Sequence, residues 1–356
     1  MKKRYIVLII ALLVIVLGYS QRAAIALRIV PKAIETAISG NALKDLGDGL
    51  HVTLCGAGGP LPDPKRSGAC VAVIAGGKMF IVDAGTNGAR NLGRLRYDLG
   101  EIEAVFLTHF HSDHIDGLGE LATLRWVQSA NTTPLPVYGP EGVADIVAGF
   151  NTAYARDAIY RHDHHGDTVA PLSGHGMTAQ SFPIPVEGES VVVYDQAGLQ
   201  VQMILVDHFP ISPAVAYLFS YQGRTVLISG DTKKSANIEK FAKGIDLLVH
   251  EALSPTLVGL MNSAATKAGN QVLAKITHDI LDYHTSPVEA AETARDAGVG
   301  HLLYYHIVPV LIFPGMEAAF VEGVDDVFPD YTVGVDGTTF SMPPNSDDIN
   351  KTRNGI

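Results

Sequence analysis

The chain has 356 residues, 47% hydrophobic and 18% charged, with a formal net charge of −11. That size supports one large domain with a substantial core, or two small ones. The acidic balance argues against tight, non-specific binding to a phosphate backbone.

Met1-Lys2-Lys3-Arg4 precedes an apolar run from Tyr5 to Tyr19. A basic start and an apolar run of this length fit a secretory signal. Ala24-Ile25-Ala26 and Gly18-Tyr19-Ser20 are candidate cleavage sites, and an uncleaved membrane anchor is the alternative. Residues 1–26 are therefore expected to be a signal peptide or anchor, with the rest of the chain periplasmic or secreted. Residues 27–49 form a lead-in, with a weakly amphipathic helix over Val30 to Gly49. The main domain is expected over 50–343, and 344–356 reads as a disordered polar tail.

His51 to Cys55 reads as a strand and Gly56-Ala57-Gly58-Gly59-Pro60 as a loop. No Gly-Lys-Ser/Thr follows, so a P-loop is not supported. Ala69 to Ala75 and Met79 to Val82 read as strands about Gly76-Gly77. The two cysteines of the chain, Cys55 and Cys70, fall in predicted strands. They cannot make a zinc finger. A disulfide is open to them, but two separate buried thiols are the expected case. Asp83 ends the second strand of the pair, and Ala89 to Leu99 reads as a helix.

The buried run Ala104 to Leu107 then delivers Thr108-His109-Phe110-His111-Ser112-Asp113-His114. A helix over Gly117 to Val127 follows. Imidazole nitrogen and carboxylate oxygen suit Zn²⁺. In extended backbone His109 and His111 share one side, while Asp113 and His114 lie beyond the turn and can face a second metal.

Pro134 to Tyr138 reads as a strand and Val143 to Tyr160 as a helix. The cluster His162, His164 and His165, with His175 further on, reads first as surface or cleft-rim histidines, with substrate contact as the alternative. Leu199 to Val206 is a strand ending at His208, and Ala214 to Ser220 and Thr225 to Ile228 are strands, the latter running to Asp231. Asp246 to Val249 leads into His250-Glu251-Ala252. His284-Thr285 precedes a helix over Val288 to Ala297, and Leu302 to Tyr305 is a strand ending at His306. Strands at Thr332 to Val335 and Thr338 to Ser341 close the domain.

The HxHxDH pattern of His109 to His114 resembles the metallo-β-lactamase superfamily. The resemblance implies a four-layer αβ/βα sandwich, with two mixed sheets flanked by helices. It implies two Zn²⁺ per chain, one held by His109, His111 and His208, the other by Asp113, His114 and His306, with Asp231 bridging. A hydroxide shared between the metals would be the nucleophile, with Asp113 able to accept its proton. Asp83 would support the metal loop from behind. His250-Glu251-Ala252 resembles the His-Glu-Ala-Thr motif of the ribonuclease Z and arylsulfatase branch, with Leu253 in place of Thr. His284 resembles that branch's His-x-Thr histidine, although Thr285 follows it directly. In that branch the glutamate orients the histidine, which protonates or electrostatically stabilises the leaving oxygen. No glycine- and proline-rich basic arm is visible. The expectation is therefore a small anionic ester substrate, sulfate ahead of phosphodiester, and no nucleic acid. A tRNA-processing ribonuclease Z is the alternative, and a non-catalytic binding module a further one. Membrane contact is expected only through the N-terminus, and a homodimer is left open.

Overall fold

The computed structural model describes residues 2–353 and 355–356. They divide into two units, 1–42 and 43–356. The first holds helices α1 (Lys2–Ser20) and α2 (Arg22–Ser39). Within α1, Lys3–Ser20 is long and apolar enough to cross a membrane, and a signal sequence meets the same test. The helix expected over Val30 to Gly49 instead begins at Arg22 and stops at Ser39, because Gly40 takes an extended conformation. A single turn, α3 (Ala42–Asp45), follows.

The larger unit contains strands β1 (Leu50–Gly56), β2 (Cys70–Ala75), β3 (Lys78–Val82), β4 (Ile102–Phe106), β5 (Leu135–Pro140), β6 (Met177–Phe182), β7 (Ser190–Gln196) and β8 (Leu199–Leu205). Then come β9 (Val215–Tyr221), β10 (Arg224–Ile228), β11 (Leu247–Leu253), β12 (His301–Val308), β13 (Tyr331–Val333), β14 (Thr339–Met342) and β15 (Asn350–Arg353). Its further helices are α4 (Gly88–Arg94), α5 (Ser112–Ile115), α6 (Leu118–Gln128), α7 (Val143–His165), α8 (Ala236–Phe241), α9 (Pro255–Lys267), α10 (Gln271–Asp279), α11 (Pro287–Ala297) and α12 (Met316–Phe320).

Two mixed sheets result, ordered β15-β14-β1-β2-β3-β4-β5-β6 and β13-β12-β11-β10-β9-β8-β7. Their facing sides share one core, in which Val52, Val71, Phe80 and Phe106 of the first meet Val201, Phe219, Leu247 and Leu303 of the second. A second core lies outside the second sheet, where Leu227, Leu248 and Leu302 pack on Ala290 and Ala294 of α11. Ser286 opens that helix with a reciprocal capping box to Glu289, which satisfies donors at its N-terminus. The parallel pairs β3/β4, β4/β5, β10/β11 and β11/β12 send chain ends to one edge, where loops carry the polar side chains.

Four local expectations are corrected. Cys55 and Cys70 form a disulfide rather than separate thiols. A register shift between Leu54 and Gly56 sets Cys55 beside Cys70 on the neighbouring strand. The tail 344–356 is not structureless: β15 pairs with β14, Ile349 packs on the core, and the Asp348 carbonyl accepts from Arg224. The helix from Ala89 ends at Arg94, and a 3-10 turn at Leu99–Glu101, capped by Asp98, takes its place. The helix from Val143 runs on to His165, so the histidine cluster rides its last turn.

Candidate metal centre

Most of the chemical side chains lie at or just beyond the ends of buried strands, and His284 lies on the turn before α11. Leu107, after β4, donates to the Tyr138 carbonyl and accepts from the Tyr217 hydroxyl at 2.8 Å, which fixes where the His109 turn begins. His208 follows β8, and its Nδ1 donates to the Tyr283 carbonyl at 2.8 Å. Asp231 follows β10 through Gly230, whose φ is +60°. A Cβ there would lie 2.8 Å from Thr108 Cβ and 2.9 Å from the Val215 carbonyl, so only glycine lets this strand tip approach the histidine loop.

His306 reaches the site by a bulge. Glu251 pairs with Tyr305 and Ala252 with Ile307, leaving His306 as the extra residue. Its φ is +45°, a left-handed conformation that costs a non-glycine residue energy and re-aims its ring. Gly59 of the loop after β1 packs on that ring, since a Cβ there would sit 3.0 Å from His306 Cε1.

The ligating atoms of His109, His111, His208 and Asp231 lie within 4.8 Å of one another, as do those of Asp113, His114 and His306. Asp231 lies between the groups: its Oδ2 is 3.9 Å from His109 Nε2, 3.8 Å from His208 Nε2 and 3.3 Å from His306 Nε2. Its Oδ1 is 3.4 Å from His114 Nε2. Asp113 Oδ2 is 3.2 Å from His306 Nε2.

Supporting groups fix the tautomers. His114 Nδ1 donates to Asp83 Oδ2 at 2.7 Å, and Asp83 also accepts from the Thr108 amide and hydroxyl. Among the described residues, the Nε2 atoms of His109, His114 and His208 and Oδ1 of Asp231 are buried with no hydrogen-bond partner. Buried polar groups are rarely left so. Orphaned Nε2 atoms converging on one carboxylate fit a cation's donor set. Burial, helped by neighbouring imidazoles, lowers the pKa of His109, keeping it neutral as a ligand must be. Burial pushes Asp113 up, but the His306 hydrogen bond and the charges of His114 and His306 bring it down to about 2.

Beside this cluster, His284 Nδ1 donates to Glu251 Oε1 at 2.9 Å. The same oxygen accepts from the Thr232 and Thr285 amides, so the carboxylate is held from three directions. Burial opposes charge on His284, but the Glu251 carboxylate outweighs it and raises the pKa to about 9. One ring nitrogen of His284 lies within 4.8 Å of ligating atoms of Asp231 and His306.

The structure thus brings together every site residue expected from the sequence. His162, His164 and His165 stay apart: none lines the cavity at the centre, and His162 is engaged by the Ala170 carbonyl. His175 packs its ring on Trp126. Sequence reasoning missed Thr108 and Tyr283 as supports. It also missed Asp336, whose carboxylate accepts from Ala57, Ser67 and Asn91 and ties the glycine-rich loop in place. Nothing in the local pattern flags these, because they act through backbone groups or across long separations. The apolar wall over 255–280 was missed too, although Leu257, Val258 and Met261 repeat at helical spacing.

Fold and site define a metal-dependent hydrolase. The family model described as Beta-lactamase superfamily domain matches residues 78–307, and the chain belongs to this superfamily. Ribonuclease Z of Mycolicibacterium paratuberculosis is 34% identical over 265 residues, covering 74% of this chain and 88% of its own. Ribonuclease Z of Mycobacterium sp. strain KMS is 35% identical over 284 residues, covering 79% and 91%. Among solved structures, the metallo-β-lactamase fold protein YhfI from Bacillus subtilis aligns with a TM-score of 0.59 at 18% identity, over 83% of this chain and all of its own. Human tRNase Z, short form, aligns at 0.57 and 20% identity, over 82% and 99%. At these identities the two structures speak for the fold.

The relatives overturn two expectations. The sulfate-first small-ester reading gives way, because relatives at this identity and coverage bear the name Ribonuclease Z. The expectation of no nucleic-acid partner falls with it. Its physical error was to let a whole-chain charge of −11 speak for a cleft that would hold cations of its own.

Proposed function

We propose that this protein is a ribonuclease Z-type phosphodiesterase that cuts RNA endonucleolytically with two zinc ions. His109, His111 and His208 would hold one ion, Asp113, His114 and His306 the other, and Asp231 would contact both. Bound there, such ions supply positive charge for phosphoryl oxygens and lower the pKa of water.

The chain's own residues do the rest. Asp83 and the Tyr283 carbonyl hold His114 and His208 so that Nε2 of each faces inward. Asp113, half-buried and kept ionised, accepts a proton from the attacking water. His284, kept protonated by Glu251, gives a proton to the departing oxygen. An RNA alkoxide is a poor leaving group, and a positioned imidazolium answers that need. The pair Glu251 and His284, 2.9 Å apart beside the cluster, is the observation that carries the reading, and the ribonuclease Z relatives support it.

The helix Lys3–Ser20 supports export, with the larger unit tethered or released outside the cytoplasm. Zinc-loaded full-length protein incubated with a 3′-extended precursor tRNA tests the function. A site-specific cut abolished by chelation is expected. An intact precursor under conditions where bis-nitrophenyl phosphate turns over would overturn the RNA reading.

A further inference from the structure

The cavity of about 280 Å³ at the centre has two unlike walls. One carries His111, Asp113, Asp231, His284 and His306. The other is aliphatic: Val258 and Met261 come from α9, Leu273 and Ile276 from α10, Ile280 from just beyond, and Val308 from β12. Among the described residues lining it there is no lysine or arginine, and the one aromatic ring outside the histidines is Tyr283. A phosphate gains nothing from such a wall. A base gains most from aromatic platforms, which are scarce here.

Further apolar side chains are exposed on these helices and on the loop that follows β12. Leu260 and Val272 on the same two helices, with Ile312 and Phe313 on the loop after β12, are each more than half exposed. On the same chain, Lys3–Ser20 is able to span a bilayer, which would hold the enzyme near lipid.

We infer that the aliphatic wall binds the alkyl chain of an amphiphilic phosphodiester drawn from a membrane surface, a second substrate class for this centre. The inference rests on phosphodiester hydrolysis at the centre but not on RNA as its target. The water oxygen forms the new bond to phosphorus, the bond to one ester oxygen breaks, and that oxygen leaves with a proton. The products are a phosphomonoester and an alcohol, and no oxidant or reductant takes part.

The test uses zinc-loaded full-length protein and nitrophenyl phosphodiesters whose second ester group is methyl, butyl or octyl. We expect kcat/KM to climb by up to about fourfold per methylene until the wall is covered. Leu273→Asn should flatten the climb while the protein keeps its zinc. Should Leu273→Asn fail to fold, the half-exposed Ile276→Asn serves in its place. A flat series in the wild type overturns the inference. A flat series combined with slow cutting of RNA that lacks the base beside the scissile bond overturns it in favour of a nucleobase. A climbing series with precursor tRNA left intact supports the inference and removes the ribonuclease reading alone.

Discussion

The two walls of the active-site cavity are built on opposite plans. The polar wall is drawn from strand ends and from the turn before α11, and three imidazoles in and beside it are each held by a second group. Asp83 holds His114, Tyr283 holds His208, and Glu251 holds His284. Glycines at 59 and 230 clear the space. The aliphatic wall is a helical hairpin held by packing and by Asn262, which donates to the Ala274 carbonyl and the Thr277 hydroxyl. One wall is over-determined, as chemistry within tenths of an ångström requires. The other tolerates change, as a surface that selects by shape and apolarity can. Substitutions should therefore be severe and specific on the first wall and graded on the second.

The largest effect is expected at Asp231. Its carboxylate lies between both ligand groups, so Asp231→Ala should lose bound zinc and phosphodiester turnover together. Elemental analysis and rate measurement on one preparation check this, and full activity in metal-poor protein would break the idea of a single coupled centre.

Next comes the pair outside the ligand set. His284→Ala should retain zinc yet lose about 10²–10⁴ in RNA cleavage rate. Glu251→Gln should fall between it and the wild type, since the amide still accepts from the Thr232 and Thr285 amides but no longer stabilises the imidazolium. Zinc loss in either variant would move the pair into the ligand shell.

Away from both walls, the Cys55–Cys70 disulfide closes a loop with a sequence separation of 15. Replacing both cysteines by serine should cost about 2–3 kcal/mol by the loop-entropy argument. The readout is the denaturant midpoint, with zinc content unchanged in the folded protein. The smallest effect belongs to the outer face of the hairpin. Leu260→Asn should change stability by less than about 0.5 kcal/mol, because the side chain is largely exposed. A larger loss would mean that the hairpin is as tightly determined as the metal wall.

The difference between the walls also explains what the sequence disclosed. The polar wall was legible because apolar runs such as Ala104 to Leu107 and Val226 to Ile228 lead within three residues to a histidine or aspartate, and the superfamily pattern tied these ends together. How His306 arrives was not legible. A bulge leaves no mark in a run that reads Leu302-Leu303-Tyr304-Tyr305-His306-Ile307-Val308. Strands β6 and β7 escaped because their edge positions mix exposed and half-buried residues, which blurs alternation. β15 escaped because all four of its residues are exposed, so it resembles a solvated tail. The disulfide was an open alternative at the sequence level, since thiol spacing says nothing about register. The substrate class failed for a different reason. An absent basic arm and a negative net charge describe the whole chain, whereas recognition is local.

The most direct measurement compares wild type and His284→Ala on two RNAs that differ at one atom, with sulfur replacing the ester oxygen that departs. Sulfur leaves without a proton, so the 10²–10⁴ penalty expected on the oxygen substrate should shrink to near unity on the sulfur one, with zinc content equal in both proteins. An equal penalty on both substrates would contradict protonation of the leaving group by His284, and with it the division of labour between metal centre and Glu251–His284 pair.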